Sequence, residues 1–155
     1  MKMKRYFIFI IFCLVLSGCT NSKSEEIRWF NTKNDAIQYG LKEEGISKKD
    51  IISRYDIDGE LFLVYKKEEG SKLLVGLSNI ANKNNKYSWY RNDAYVEVKG
   101  NIQISLITKA LSGNEFNFYT GITKEKELTI KTELGDISPH IDEKSGIYNF
   151  ISLVN

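Results

Sequence analysis

From Ile51 onward the chain is a succession of short runs rich in β-branched and aromatic residues, each closed by Gly, Asn, Asp or Ser. Strands joined by tight turns satisfy that pattern, and a helical period does not. The runs span 51–57, 60–66, 72–79, 87–91, 94–99, 102–108, 115–122, 128–132 and 146–154. Asp58-Gly59 and Gly100-Asn101 take positive φ readily, so each predicts a two-residue hairpin and antiparallel pairing of the strands beside it. Ile102, Ile104 and Leu106 fall on one face against Gln103 and Ser105, and Phe116 and Phe118 oppose Asn117 and Tyr119. Such alternation predicts a sheet with one buried and one wet face. Leu61-Phe62-Leu63-Val64-Tyr65 is apolar on both faces, as a central strand covered by a helix on one side would be.

One helix is predicted ahead of the strands. Thr32 is placed to accept from the amide of Asp35, whose charge suits a helix N-terminus. Ala36, Ile37, Gly40 and Leu41 then share a face at helical spacing, and Gly45 is a natural left-handed stop. Ser47-Lys48-Lys49-Asp50 offers a second cap, enough for a single turn. The expected fold class is α+β, with the N-terminal helix packed on a mostly antiparallel β-sheet. A two-sheet β-sandwich carrying one helix is the alternative.

The first 26 residues have a different character. Lys2, Lys4 and Arg5 precede an apolar stretch, 6–16, which leads through Ser17-Gly18 to a cysteine. That stretch is well short of the roughly 20 residues a permanent membrane helix needs, so it reads as the core of a cleaved signal. Leu16-Ser17-Gly18-Cys19 resembles the bacterial lipobox. The resemblance implies that 1–18 is a lipoprotein signal peptide and that Cys19 carries a diacylglyceryl group with palmitate-type chains and becomes the mature N-terminus. Two acyl chains hold a protein on a bilayer where one does not. Residues 20–26, Thr-Asn-Ser-Lys-Ser-Glu-Glu, are too polar to pack and form, with Cys19, a tether (19–26) for a single extracytoplasmic domain, 27–155.

Removing the signal leaves 19 of the 22 basic side chains against all 20 acidic ones. The remainder is close to neutral, which gives no electrostatic reason to expect nucleic acid as a partner. Cys13 leaves with the signal and Cys19 is capped, so neither a thiolate metal site nor a cysteine nucleophile is expected.

His140 is the lone histidine; with no Gly-x-Ser-x-Gly elbow, a Ser-His-Asp triad is not expected, and Ser138-Pro139-His140 reads as a surface loop. Asp56-Ile57-Asp58-Gly59-Glu60 looks superficially like a calcium loop, but Tyr65 stands where that loop needs Glu, and the hairpin explains Asp58-Gly59 without metal. Neither a metal nor a cofactor is expected. Asp56, Asp58 and Glu60 are the acids a glycan hydrolase would draw on, if two of them lined a cleft.

The densest aromatic run is Tyr87-Ser88-Trp89-Tyr90-Arg91. Alternation sends Tyr87, Trp89 and Arg91 to one face, which either packs in the core or, where solvated, stacks a sugar or peptide. These three are the candidate ligand-binding residues.

As a whole the chain is similar to small lipoproteins of Bacillus-type bacteria, with lipobox, polar tether and a Lys-, Asn-, Ile- and Tyr-rich domain. Residues 32–45, followed by paired strands, also resemble the start of a PepSY module, a helix-and-strands unit linked to protease inhibition, and depart from it beyond Gly45. Anchor and composition together lead to a non-enzymatic binding or accessory lipoprotein on the outer face of the cell membrane. Its expected partner is an envelope protein or small envelope ligand. The alternatives are an inhibitor of an extracytoplasmic protease or lysozyme-like enzyme, and a carboxylate-dependent hydrolase of wall glycans.

Overall fold

The computed structural model describes residues 27–154; the lipobox, Cys19 and the tether lie outside them. Helix α1 (Lys33–Glu44) begins at Thr32, whose hydroxyl accepts from the Asp35 amide at 3.1 Å, and ends at Gly45 in the left-handed region at φ 66°. A single 3-10 turn (Lys48–Asp50) follows, its Asp50 carboxylate taking the Ser47 amide at 2.8 Å.

Four strands then form an antiparallel meander: β1 (Ile51–Ile57), β2 (Glu60–Glu69), β3 (Lys72–Lys83) and β4 (Lys86–Arg91). Asp58 and Gly59, at φ 53° and 76°, make the predicted two-residue turn between β1 and β2. Asn84 and Asn85, at 53° and 59°, do the same between β3 and β4, because asparagine tolerates the left-handed region better than most residues. The short β5 (Val96–Glu97) returns to the edge of β3 left free beyond the end of β4.

The Gly100-Asn101 turn does not make a hairpin. Val96 and Leu106 lie in different sheets, and the turn carries the chain from one to the other. The second sheet has the order β10 (His140–Ile141), β11 (Ile147–Leu153), β7 (Glu115–Ile122), β6 (Ile104–Lys109), all antiparallel. A separate hairpin joins β8 (Ile130–Thr132) to β9 (Gly135–Ile137).

The two expected architectures are combined. The first sheet carries α1 on one face and the second sheet on the other, so the described chain is a mostly antiparallel, two-sheet arrangement with one helix. Between the sheets, Phe62 and Val64 of β2 and Val75 and Leu77 of β3 meet Phe116 and Phe118 of β7 and Ile147 and Ile151 of β11. Phe62 and Phe116 touch edge to face, centroids 4.6 Å apart. Under the helix, Ala36 packs on Leu61, Leu63 and Ile80. This explains why β2 is apolar on both faces: residues of even number face the second sheet and those of odd number face α1.

Two details of the alternation need correction. Ile104 and Leu106 do turn inward, but Ile102 precedes β6 and is exposed. The outer face of β7 is not wet, since Asn117 and Tyr119 are buried; Tyr119 and Tyr148 lie in a small core with Ile130 of the β8–β9 hairpin.

Polar contacts pin the sheets together at their seam. The Tyr55 hydroxyl of β1 sits 2.8 Å from both the backbone carbonyl and the side-chain oxygen of Asn149 in β11. Lys66 of β2 pairs with Asp142 at 3.5 Å. Burial works to raise the Asp142 pKa, but hydrogen bonds from Ser145 and the Lys66 ammonium outweigh it and hold the carboxyl below its usual range.

Candidate functional site

On the α1 side of the first sheet, cross-strand register sets three rows. Leu61, Ile80 and Trp89 form the first; Leu63, Ser78 and Arg91 the second; Tyr65 and Gly76 the third. From the first row, which is hydrophobic, to the third, hydroxyl and guanidinium groups enter the surface under α1 at Ser78, Arg91 and Tyr65.

Tyr87, Trp89 and Arg91 share this face, as alternation requires, but they do not form an open platform. Tyr87 pairs through its backbone with Phe30, at 2.7 and 2.8 Å, and packs in the core beneath α1. Trp89 is half-buried between α1 and Tyr65, the two rings 5.5 Å apart. Gly40 makes that approach possible: a Cβ there would lie 1.8 Å from the indole. Only Arg91 is exposed, and it reaches across to the last residue of α1.

That residue, Glu44, organises the site. It is 7 % exposed, and its carboxylate takes the Arg91 Nη1 at 3.2 Å and the Tyr95 hydroxyl at 2.9 Å. Tyr95 in turn meets the Tyr65 ring edge to face at 5.8 Å, and the Tyr65 hydroxyl is bonded to Ser78 at 3.0 Å. Burial drives the pKa values of both phenols far above their ordinary value. For Tyr95 the neighbouring Tyr65 and the Glu44 carboxylate push further the same way; for Tyr65 the hydrogen bond to Ser78 opposes. Both therefore remain neutral, and Tyr95 donates a hydrogen bond to a charge that would otherwise be buried with one partner.

Two features here work against stability. Glu43 and Glu44 stand at the C-terminal, negative end of α1, where cations are favoured. Trp89 Nε1 is buried without a hydrogen-bond partner among the described residues, a loss of the order of 1–3 kcal/mol.

A recess of about 470 Å³ opens above this cluster, walled by Arg28, Tyr39, Glu43, Glu44, Trp89 and Arg91. Arg28 lies over the rings of Phe30 and Tyr39, its guanidinium carbon 5.3 and 5.0 Å from their centres. Paired charges, two guanidinium groups and flat aromatic walls can hold and orient a small polar ligand. A larger open cleft, about 1270 Å³, runs between segments 123–129 and 138–146. Its charged walls are largely exposed loop residues, and His140, on its rim at the start of β10, is exposed as well.

Asp56 and Asp58 are exposed on the β1–β2 hairpin, Glu60 is bonded by Asn79 Nδ2 at 2.8 Å, and neither recess contains them. Among the described residues, no group of three or more His, Cys, Asp or Glu converges as a metal site would.

Sequence reasoning found Trp89 and Arg91 and missed Glu44, which completes the pair, and Tyr65 as its neighbour. The sign was present: position 44 follows Leu41 by three, so it falls on the stripe that Ala36, Ile37, Gly40 and Leu41 define, and it is a carboxylate where the pattern asks for an apolar residue. No family model matches this chain, and neither a curated protein nor a solved structure does.

Proposed function

We propose that this chain is a lipoprotein anchored through Cys19 to the outer face of the cell membrane, and that its domain acts by binding an envelope ligand rather than by catalysis. The observation that carries the binding part is the recess at the C-terminal end of α1, where a buried carboxylate, its guanidinium partner and an indole edge are assembled against local helix electrostatics. Groups kept in place at a cost to stability are a mark of sites selected for something else. The anchor rests on the order of basic residues, apolar core and lipobox in the first 19 positions.

The hydrolase reading draws less support, because its three acids sit on a hairpin away from either recess. Mass spectrometry of the native protein should find a fatty-acylated cysteine at position 19; an intact precursor overturns the anchor. Envelope fractions titrated against the protein should raise its melting temperature in the wild type and not in Arg91→Gln. Turnover of purified wall polymer by the wild type would overturn the binding reading.

A further inference from the structure

The chain enters the domain at the mouth of this recess. Ile27 and Arg28 help to line it, and Phe30 is fastened to Tyr87 two residues on. From Cys19 to Ile27 is a contour of eight residues, at most about 26–29 Å when fully extended. With Cys19 acylated, the recess therefore lies within reach of the bilayer surface.

Its charges limit what can enter. Arg28 and Arg91 face Glu43 and Glu44, two cations against two anions, so the lining is neutral as a whole. An anionic ligand would leave one negative charge unmatched and a cationic ligand one positive; a neutral ligand leaves none but engages neither sign of charge, whereas a zwitterion leaves none and engages both. Arg91 commits one nitrogen to Glu44, and a guanidinium has five N–H donors, so it retains capacity for an anion. The exposed carboxylate of Glu43, on the same lining, suits an ammonium.

We infer that the recess binds a zwitterionic headgroup, an ammonium a few ångströms from a phosphate, presented by the membrane that holds the anchor. The placement at the bilayer rests on the anchored-lipoprotein reading above; the charge argument does not.

The test uses the full acylated chain carrying Trp29→Phe, so that Trp89 alone reports, in vesicles of phosphatidylglycerol with or without phosphatidylethanolamine. Phosphatidylethanolamine should shift Trp89 emission, and Arg28→Gln and Glu43→Gln, both at exposed positions, should each weaken the response about tenfold or more. Soluble phosphoethanolamine added to pure phosphatidylglycerol vesicles separates the sources. A response to it, with none to the lipid, overturns the headgroup assignment while leaving a zwitterion site. A response insensitive to both substitutions, or no response to either probe, overturns the inference. If Cys19 proves unacylated but phosphoethanolamine still binds through Arg28 and Glu43, the anchor fails and the chemistry of the recess stands.

Discussion

Toward the second sheet, the first presents Phe62, Val64, Val75 and Leu77, all apolar and almost free of solvent. Toward α1 it presents Leu61, Leu63 and Ile80, but these give way to Tyr65, Ser78 and Arg91 as the helix reaches its C-terminus. On the first face Phe62, Val64, Val75 and Leu77 follow the alternation of β2 and β3 and pack by shape, with polar contacts such as Tyr55 to Asn149 confined to the seam. The other is closed by a polar network around a carboxylate at the wrong end of a helix dipole. The contrast sets the face that packs the two sheets together against the face on which the proposed site lies.

The two faces should respond differently to truncation. Phe62→Ala removes a ring packed on Phe116 and should cost about 3–5 kcal/mol in urea unfolding, with no specific effect on the recess. On the helix face, Arg91→Ala strands Glu44. A fully buried pair broken this way costs about 3–5 kcal/mol; with the Arg91 side chain 44 % exposed, about 2 kcal/mol is expected. A loss as large as that of Phe62→Ala would erase the distinction between the faces.

Gly40→Ala sharpens the comparison by acting on Trp89 directly. The added methyl would overlap the indole, so α1 or the ring must move, at about 1–2 kcal/mol, and in the Trp29→Phe background Trp89 emission should shift to the red. An unchanged spectrum would mean that α1 does not hold Trp89 in place.

The smallest effect belongs to the seam between the sheets. Tyr55→Phe removes the contact to Asn149 and should cost about 1 kcal/mol at neutral pH. Burial, partly opposed by Ser53, pushes the Tyr55 pKa from 10.0 up to about 12. A phenol with a raised pKa in the fold favours its neutral form there. Its contribution is therefore complete below pH 10.0 and fades as pH climbs through about 12. The stability gap between wild type and Tyr55→Phe should narrow over that window, and a gap that widened would contradict the assignment.

The strands were legible because period-two patterning and turn residues are local properties. Asp58-Gly59 predicts its hairpin for that reason, and so does Thr32 its cap. Gly100-Asn101 misleads because a turn dipeptide fixes the local bend and says nothing of whether the next strand returns to the same sheet. Asn84-Asn85 escaped because the run before it was closed at Asn79, although β3 continues to Lys83. The covered outer face of β7 was hidden by a long-range event, the β8–β9 hairpin folding back over Tyr119. In the site, Trp89 and Arg91 were legible from alternation, while the helix-to-strand pairing of Glu44 with Arg91 depends on how α1 lies on the sheet. No spacing in the chain encodes that.

The central claim is that Glu44 and Arg91 are retained for binding and not for stability. The most direct measurement is the unfolding free energy of the double variant Glu44→Leu, Arg91→Met. Replacing a buried ion pair by apolar groups of similar size is commonly neutral or stabilising. The account predicts a double variant at least as stable as the wild type and clearly more stable than Arg91→Ala. A double variant as unstable as Arg91→Ala would show that the pair is structural, and would contradict it.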